Sequence, residues 1–578
     1  MKLSLSNPFT VSSNFEELFT KKIKTECEVD ETELHVNLDI FMNSNCTNSD
    51  SDTNNIKPII ECINRTHTRQ GLLYLQQRLS QNRNITNIKH EQQLIIYLLK
   101  NPLTLQKINN RLQQIADIEE HVLWCLEDKN GSDTEHLTLG YFQNTYFQFL
   151  NRWKNMVRIL NLFVLLVAPF YSMFSPIIVA ILPYFYFKLF TKVPVTLKTY
   201  MFVVRQTLFK LPSFTQLKKM SWFSLLSKIL SIYIYTQSIY GNINTSQKTK
   251  YVLNHIHTKC NHLQSAVNYT EDMETILQET PLQYSSNSWK ELSSIFKIES
   301  KVNNSYFHNW GSFLQEYSTI SGFHSTKPVR KSEIRIMLRK WGELDYYVSI
   351  CKLLLEGNGN WCIPFFNNNK EPFLQIHDLY HPSLLNNNNT KCIKNSIKLH
   401  NNHMIITGPN AGGKSTLLKS TAICVFLAQR IGIAPAQRME LTYFTQLYTH
   451  LNINDETGNL SLFQKEATKI KKQLEMMEKT DGFHFIIIDE LFHSTNPEEA
   501  VEGGKKILKE INGNLKCCCL FSTHLKKLTE ECKTRNRFLR YKIPHTRDSD
   551  GNICYTYSLE PGISTQNIAL ELLEQKAV

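Results

Sequence analysis

The spacing of apolar residues changes character along the chain. From Ile59 to about Leu126, and again from Leu197 to about Leu355, apolar residues recur every three or four positions. This period keeps them on one face of a helix and predicts amphipathic helices. Beyond Trp361, short apolar runs alternate with longer amphipathic stretches. That alternation is typical of an α/β domain, so the pattern predicts a mostly helical region followed by a C-terminal α/β domain.

One stretch has no polar face. The 29 residues from Ile159 to Phe187 include no charged residue. About 20 apolar residues suffice to cross a bilayer, and soluble helices rarely lack charge on every side. Prolines interrupt the stretch, and basic residues flank it on both sides. These are Pro169, Pro176 and Pro183 within it, and Arg152, Lys154, Arg158, Lys188 and Lys192 around it.

Basic flanks at both ends predict a transmembrane hairpin whose two ends stay on the cytoplasmic side. A shallow re-entrant hairpin, a tilted single span and a buried helical hairpin of a soluble core are the alternatives. A second aromatic and apolar segment, Trp222 to Tyr240, carries Lys228 and Gln237. It is therefore interpreted as a core or interfacial helix.

Length and composition limit the domain count and the class of partner. A chain of 578 residues holds two to four domains. Its net charge of +12 suits phosphate backbones or anionic lipid head groups without choosing between them. The pattern divides the chain into five segments. These are a polar segment (1–55), a helical core (56–154), the apolar hairpin (155–190), a second helical region (191–360) and the α/β domain (361–578).

The most specific chemical signal is a glycine-rich loop between an apolar strand and a helix. The strand Met404–Thr407 runs into a GxxxxGKS sequence, whose backbone N–H groups can surround a phosphate. Lys414 would neutralise the β- and γ-phosphates, and the Ser415 hydroxyl would bind Mg²⁺. The predicted ATP-binding residues of this loop are Gly408, Pro409, Asn410, Ala411, Gly412, Gly413, Lys414, Ser415 and Thr416.

Two further strands end in groups suited to phosphate chemistry. Phe485 to Ile488 is an apolar run that leads into Asp489 and Glu490. Asp489 is predicted to hold Mg²⁺ through water, and Glu490 to orient or deprotonate the attacking water. A later apolar run ends in His524, which is predicted to sense the γ-phosphate, although a lone histidine is more often structural. Lys414, Glu490 and His524 are thus the predicted catalytic residues.

These motifs resemble those of the MutS family of DNA mismatch-repair ATPases. The resemblance rests on Thr-Gly-Pro-Asn-x-Gly-Gly-Lys-Ser-Thr at 407–416, on Asp489-Glu490-Leu491 with Thr495-Asn496-Pro497, and on Ser522-Thr523-His524. Ser461 to Glu466 is similar to the family's Ser-x-Phe-x-x-Glu signature. In the family this loop reaches across a dimer to the partner's γ-phosphate, which implies that role for Ser461. Ile393 falls where the family flanks the adenine, but Cys392 replaces the usual aromatic residue.

The resemblance implies an ABC-type P-loop ATPase domain preceded by a helical core or lever domain. It also implies ATP and Mg²⁺ as cofactors, a homodimer or a dimer of related subunits, and double-stranded DNA as a partner. About 55 residues precede the core-like region, too few for the family's N-terminal mismatch-recognition domain. Together with the apolar hairpin, this predicts a reduced, membrane-anchored relative whose ATPase faces the cytoplasm.

Two other functions compete with a DNA clamp. A membrane-anchored ATP switch that binds a protein partner without DNA fits the apolar hairpin equally well. An ABC-transporter or SMC-type ATPase would need an LSGGQ-like motif between Leu441 and Asp489, and none occurs there.

Overall fold

The computed structural model divides the chain into two compact units. A sheet unit contains residues 14–116 and 338–578, and a helical unit contains residues 1–13 and 117–337. The structure describes residues 34–41, 57–123, 146, 147, 150, 154–191, 196–208, 222–278, 328–385, 392–409, 412–451, 462–492, 495–532, 537–547 and 553–564. The segment boundaries predicted from the sequence follow changes in hydrophobic pattern. The sheet unit does not follow these boundaries, because it combines the C-terminal α/β domain with helices from the N-terminal part of the chain.

A six-stranded sheet forms the centre of the sheet unit. Its strands are β4 (His403–Thr407), β6 (Phe444–His450), β7 (Phe483–Asp489), β8 (Cys517–Ser522), β9 (Phe538–Lys542) and β12 (Glu560–Pro561). They lie in the order β12-β9-β4-β8-β7-β6, and all neighbouring pairs are parallel except β12 with β9. This arrangement confirms a C-terminal α/β domain of mixed sheet.

The central strands are continuous apolar runs because helices cover both faces of the sheet. Every residue of β4 and of β8 is buried, including the three consecutive cysteines of β8. The helices of this part are α10 (Lys414–Ile431), α11 (Leu462–Lys479), α12 (Pro497–Gly513) and α13 (Lys526–Glu531). The Cys517–Cys519 run is thus a core strand, as the sequence pattern predicts.

Smaller β elements flank the large sheet. A four-stranded sheet has the order β1-β5-β2-β3, and β10 pairs with β11 as a hairpin. These strands are β1 (Phe365–Phe366), β2 (Phe373–Leu379), β3 (Asn395–His400), β5 (Arg438–Leu441), β10 (His545–Arg547) and β11 (Ile553–Tyr555), with a 3-10 turn at Pro382–Leu384.

A buried carboxylate on α9 (Pro328–Glu356) joins that helix to the N-terminal helices of the chain. The N-terminal helices are α1 (Ile59–Ile63), α2 (Arg69–Ser80), α3 (Ile85–Lys100) and α4 (Pro102–Leu123). Asp345 is fully buried and accepts hydrogen bonds from the backbone N–H groups of His67 (2.9 Å) and Thr68 (2.7 Å), and from the Thr68 hydroxyl (2.7 Å). A Cβ on Gly71 would overlap this carboxylate, so α2 needs a glycine there.

The apolar stretch of the helical unit is one continuous helix, so the hairpin predicted within 155–190 is wrong. The chain is helical through α5 (Lys154–Leu162), a π-helical turn (Phe163–Val167), α6 (Ala168–Tyr186) and a second π-helical turn (Phe187–Thr191). Pro176 cannot donate to the carbonyl of Ser172, but the Ser175 hydroxyl donates to that carbonyl instead, at 3.1 Å. The prolines therefore do not end the helix, which leaves the single span among the predicted alternatives.

Among the described residues, one helix is long and apolar enough to cross a membrane. It is Ile159–Ile178, with a mean hydropathy of 1.7 and only 11% of the stretch buried. The unit also contains α7 (Leu197–Leu208) and the 57-residue α8 (Trp222–Gln278). Large apolar side chains near the start of α8 are exposed, among them Trp222 at 73% and Ile232 at 64%. The sequence predicts Trp222–Tyr240 as a core or an interfacial helix, and the core alternative is wrong for these exposed side chains.

We expect Asp345→Ala to lower the free energy of unfolding of the sheet unit by about 3 kcal/mol, because two N–H groups and a hydroxyl lose their buried acceptor. Glu343→Ala is the matched control on the same helix. Glu343 is 26% exposed and pairs only with Lys340, which is worth less than about 1 kcal/mol. Urea unfolding followed by tryptophan fluorescence measures both. Equal losses in the two variants would contradict the structural role of Asp345.

Candidate functional site

The predicted chemical groups meet because three neighbouring parallel strands end at one edge of the large sheet. Ile406 of β4 pairs with Ser522 of β8, and Ser522 pairs with Asp489 of β7. The segments that follow the three strands therefore begin side by side. The glycine-rich loop, the two carboxylates and His524 belong to these three segments.

The loop after β4 folds around the lysine that follows it. Lys414 is 4% exposed, and its Nζ donates to the carbonyls of Gly408 and Pro409, each at 3.0 Å. Gly412 donates its N–H to the same Pro409 carbonyl. Gly413 has φ +89°, a conformation that only glycine adopts readily, and α10 begins at the next residue. Asn410 and Ala411 lie outside the described residues.

The first turn of α10 presents two hydroxyl groups at the same edge, because Ser415 and Thr416 are exposed there. The N-terminus of a helix favours anions such as phosphate. The phosphate-binding role of the loop stays a prediction.

Glu490 lies between two basic side chains. Its Oε1 is 3.3 Å from Nζ of Lys414 and 3.7 Å from Nδ1 of His524. The hydrogen bond from His524 and the Lys414 charge outweigh partial burial and lower the pKa of Glu490 to about 2. Its backbone has φ +47°, which is uncommon for a residue other than glycine and typical of functional sites. All three predicted catalytic residues are therefore in one cluster.

Asp489 is the last residue of β7 and is held by its neighbour in β8. The Ser522 hydroxyl donates to Oδ1 of Asp489. Mg²⁺ prefers oxygen ligands and binds through one or two carboxylates plus substrate phosphates. The Asp489 carboxylate and the exposed Ser415 hydroxyl supply such oxygens at the same sheet edge, so the donor set fits Mg²⁺.

The signature segment is attached to the chain that follows Glu490. Ser461 lies outside the described residues, and α11 begins at the next position. Glu466 on its first turns is 3% exposed and accepts a hydrogen bond from the N–H of Phe492 at 2.9 Å. The rings of Phe463 and Phe492 are 4.9 Å apart. A displacement of the start of α11 would thus reach the Glu490 segment directly.

Tyr557 was missed by sequence reasoning, although it touches the glycine-rich loop. A Cβ on Gly413 would lie 2.9 Å from Cδ1 of the Tyr557 ring, and Tyr557 is 45% exposed. Asn395 ties this segment to the strand after Ile393. Its Nδ2 donates to the Tyr557 carbonyl (2.9 Å), and its Oδ1 accepts from the N–H of Leu559 (2.8 Å). The Tyr557 ring is thus placed beside the glycine-rich loop, and half-buried Ile393 lies two residues before Asn395 in the chain. A single tyrosine 144 residues after Gly413 gives no sequence signal for this contact.

Comparison with known proteins agrees with this geometry. Residues 404–577 match the family model described as MutS domain V. The chain is 31% identical over 232 residues to the DNA mismatch repair protein Msh3 of Dictyostelium discoideum, covering 38% of this chain and 15% of that protein. It is 31% identical over 210 residues to human MutS protein homolog 4, covering 35% of this chain and 22% of that protein. It is 25% identical over 242 residues to the DNA mismatch repair protein MutS of Thermus thermophilus, covering 42% of this chain and 28% of that protein.

These matches span less than a third of the length of each relative. Residues 404–577, matched by the family model, include the three strand ends that bring the glycine-rich loop, the carboxylates and the histidine together. The resemblance drawn from the motifs is confirmed for this part of the chain, where the C-terminal α/β domain is a MutS domain V.

Proposed function

We propose that this protein is a MutS-type ATPase in which binding and hydrolysis of ATP at a dimer interface drive a clamp-like change of conformation. One observation carries the proposal. Glu490 is held between Lys414 and His524 at the carboxyl ends of adjacent parallel strands. That is where a triphosphate, its counter-charge and an attacking water have to meet in a P-loop ATPase.

The position of Glu490 suits both roles predicted for it. His524 and Lys414 lower the pKa of Glu490, so its carboxylate is ionised at neutral pH. Glu490 would accept a hydrogen bond from the attacking water and orient or deprotonate it. Ser415 and Asp489 would hold Mg²⁺, which would supply positive charge to the phosphate oxygens. His524 is half-exposed beside Glu490 and can donate to the γ-phosphate.

The composite site follows from the family resemblance and from the position of α11. Ser461 would contact the γ-phosphate held by the partner subunit. Because Glu466 and Phe463 connect the start of α11 to Phe492, closure of the dimer on that loop would shift the chain next to Glu490. ATP bound in one subunit would thereby be sensed in the other.

Duplex DNA is the partner proposed for the clamp. The printed names of the Msh3 and Thermus relatives include DNA mismatch repair. Arg335 and Arg339, one turn apart on α9, are exposed and could contact phosphates. Recognition of a mismatch does not enter the proposal, because the matched residues belong to the ATPase domain.

A second candidate function is a membrane-anchored ATP switch with a protein partner. The exposed helix Ile159–Ile178 favours a membrane anchor, with the ATPase on the cytoplasmic side. An uncharged helix of this length that stays exposed would be stabilised by lipid. A membrane anchor is compatible with a DNA partner and with a protein partner.

The ATPase is tested first by two substitutions at the cluster. We expect Lys414→Ala to abolish ATP binding, and Glu490→Ala to retain binding but to lower hydrolysis by at least a hundredfold and to accumulate an ATP-bound dimer. Glu502→Ala, an exposed glutamate of α12, is the matched control and should behave as wild type. Steady-state phosphate release and light scattering with ATP measure both effects. Normal hydrolysis by Glu490→Ala would show that the assignment is wrong.

The composite site requires a separate measurement. We expect the specific activity to rise with protein concentration, and Ser461→Ala to lose activity while still binding ATP. Activity strictly proportional to protein concentration, with no dimer in ATP, would refute a shared site.

Tyr557 is proposed to supply the stacking surface that Cys392 lacks. Stacking of a base on an aromatic ring is worth about 1–3 kcal/mol. We expect Tyr557→Ala to weaken ATP binding about tenfold and Tyr557→Phe to preserve it, whereas binding of inorganic tripolyphosphate stays the same in both. Titration of a fluorescent ATP analogue measures the affinities. Equal loss of ATP and tripolyphosphate binding would instead indicate a damaged loop.

A measurement of DNA binding distinguishes the proposed DNA clamp from the proposed switch with a protein partner. We expect the detergent-solubilised protein to bind homoduplex DNA in ATP, with an affinity that falls steeply with salt because phosphate contacts release counterions. Arg335→Ala combined with Arg339→Ala should reduce the salt slope by about 2. Fluorescence anisotropy with a labelled duplex measures both. No salt-dependent binding in ATP would favour the switch.

A further inference from the structure

We propose that Trp222–Ile243, the first part of α8, is a second membrane-embedded helix that returns the chain across the bilayer crossed by the uncharged stretch Ile159–Phe187. The inference rests on the membrane anchor proposed above and extends it to a segment that sequence reasoning assigned to a core or an interface. Together the two helices form the hairpin that the proline-containing helix does not form by itself.

The two helices run antiparallel and are joined by hydrogen bonds. The Tyr235 hydroxyl donates to the carbonyl of Met173 at 2.7 Å, and the Ser246 hydroxyl donates to the carbonyl of Leu165 at 3.0 Å. Residues later in the first helix therefore contact residues earlier in α8, so the two helices are antiparallel. This is the packing of two spans in a hairpin.

Polarity in this pair is the reverse of that in a water-soluble helix pair. Among the described residues of the embedded pair, Ser172 is a buried polar side chain, at 4% exposed, and Asn161 and Thr249 are buried just beyond the embedded parts of the two helices. Tyr184 is the buried apolar residue described within the pair. Polar groups inside and apolar groups outside are the arrangement that a bilayer favours.

The exposed apolar surface extends around α8 and is not confined to one stripe. Ile229, Leu230, Ile232, Tyr233 and Ile234 are each 54–64% exposed. They span more than one helical turn, so they point to most sides of the helix. A partner helix would cover one face, whereas lipid surrounds a helix on every side not occupied by protein. A bilayer is therefore the occupant that matches this surface.

Hydroxyl groups on this helix are satisfied without water. The hydroxyls of Ser231, Thr236 and Thr245 donate to carbonyls three or four residues earlier on the same helix, at 2.8–2.9 Å. Serine and threonine inside a membrane are tolerated when they bond to the backbone in this way. Lys228 is the one charged residue from Trp222 to Ile243 and lies six residues from the start of the helix.

Mean hydropathy alone does not select this segment as a span, but its length and its ends fit a bilayer. Twenty-two residues from Trp222 to Ile243 span about 33 Å of helix, close to the roughly 30 Å of a hydrocarbon core. Exposed Trp222 and Phe223 lie at one end, where aromatic residues are common at membrane interfaces. Lys248 and Lys250 follow the other end. Ser246 contacts Leu165, so the embedded part of the first helix begins near Leu166.

Two spans also give a consistent topology. A single crossing at Ile159–Phe187 would leave the chain before it and the chain after it on opposite sides of the bilayer. A return through Trp222–Ile243 places the helices before residue 159 and the α/β domain on the same side. The ATPase and the N-terminal helices that pack with it in the sheet unit can then fold together.

Photo-crosslinking in liposomes tests each helix separately, with three exposed tyrosines as matched sites. Tyr171 (56% exposed) reports on the first helix, Tyr233 (57%) on the second, and Tyr251 (44%) lies past Lys250 on the same helix. Each is replaced by p-benzoylphenylalanine in the full chain, which is reconstituted into phosphatidylcholine vesicles and irradiated. We expect acyl-chain adducts by mass spectrometry from Tyr171→p-benzoylphenylalanine and Tyr233→p-benzoylphenylalanine, and none from Tyr251→p-benzoylphenylalanine.

The outcomes separate this inference from the anchor on which it rests. Acyl-chain adducts at position 171 but head-group adducts, protein crosslinks or no adduct at position 233 would overturn the second span and leave the anchor intact. No lipid adduct at either position would overturn both. If the variant at position 233 fails to fold, Tyr240→p-benzoylphenylalanine replaces it, since Tyr240 is 67% exposed within the same segment.

Discussion

The parallel register of β4, β8 and β7 is the constraint on which the site depends. Ile406, Ser522 and Asp489 lie in one row across the three strands, so the segments that follow start at the same level. Carboxyl ends of parallel strands lie at one edge of a sheet, and helices covering both faces leave that edge as the place for polar groups. Residues 408–414, 489–490 and 524 are far apart in sequence and adjacent in space for this reason. A slip of any one strand would separate the lysine, the carboxylate and the histidine.

Much of this edge could be predicted from the sequence, because each group follows directly after an apolar run. Lys414, Glu490 and His524 lie within a few residues of strand ends, and strand ends can be located from the hydrophobic pattern of the sequence. Tyr557 could not be predicted, because its contact with Gly413 depends on the β10–β11 hairpin and on two hydrogen bonds from Asn395. The hairpin was predicted wrongly for another local reason. The prediction treated prolines as helix breaks, but the Ser175 hydroxyl donates to the carbonyl that Pro176 leaves without its backbone donor.

The charges at the site explain how a loop on another subunit could control it. Lys414 is almost fully buried and pairs with Glu490, so any movement of the Glu490 backbone changes the electrostatic balance around the phosphate position. Glu490 is also in a left-handed conformation, which the surrounding hydrogen bonds must maintain. Its N–H donates to Ser522, and the chain two residues further on is held by Glu466. These contacts therefore connect the signature helix to the carboxylate that is proposed to be catalytic.

Net positive charge alone does not distinguish a membrane surface from DNA, since both are polyanions. The distribution of polarity in the helical unit does. A DNA-clamping helix pair would be expected to expose basic residues and bury apolar ones, as α9 does with exposed Arg335 and buried Trp341. The pair formed by residues 159–190 and 222–243 instead buries Asn161 and Ser172 and exposes isoleucine, leucine and phenylalanine. The cost of exposing that surface to water is about 25 cal/mol for each Å², and burial in hydrocarbon removes it. The same chain can thus carry a basic face for phosphates and a separate apolar pair for lipid, so anchoring and DNA binding do not compete for one surface.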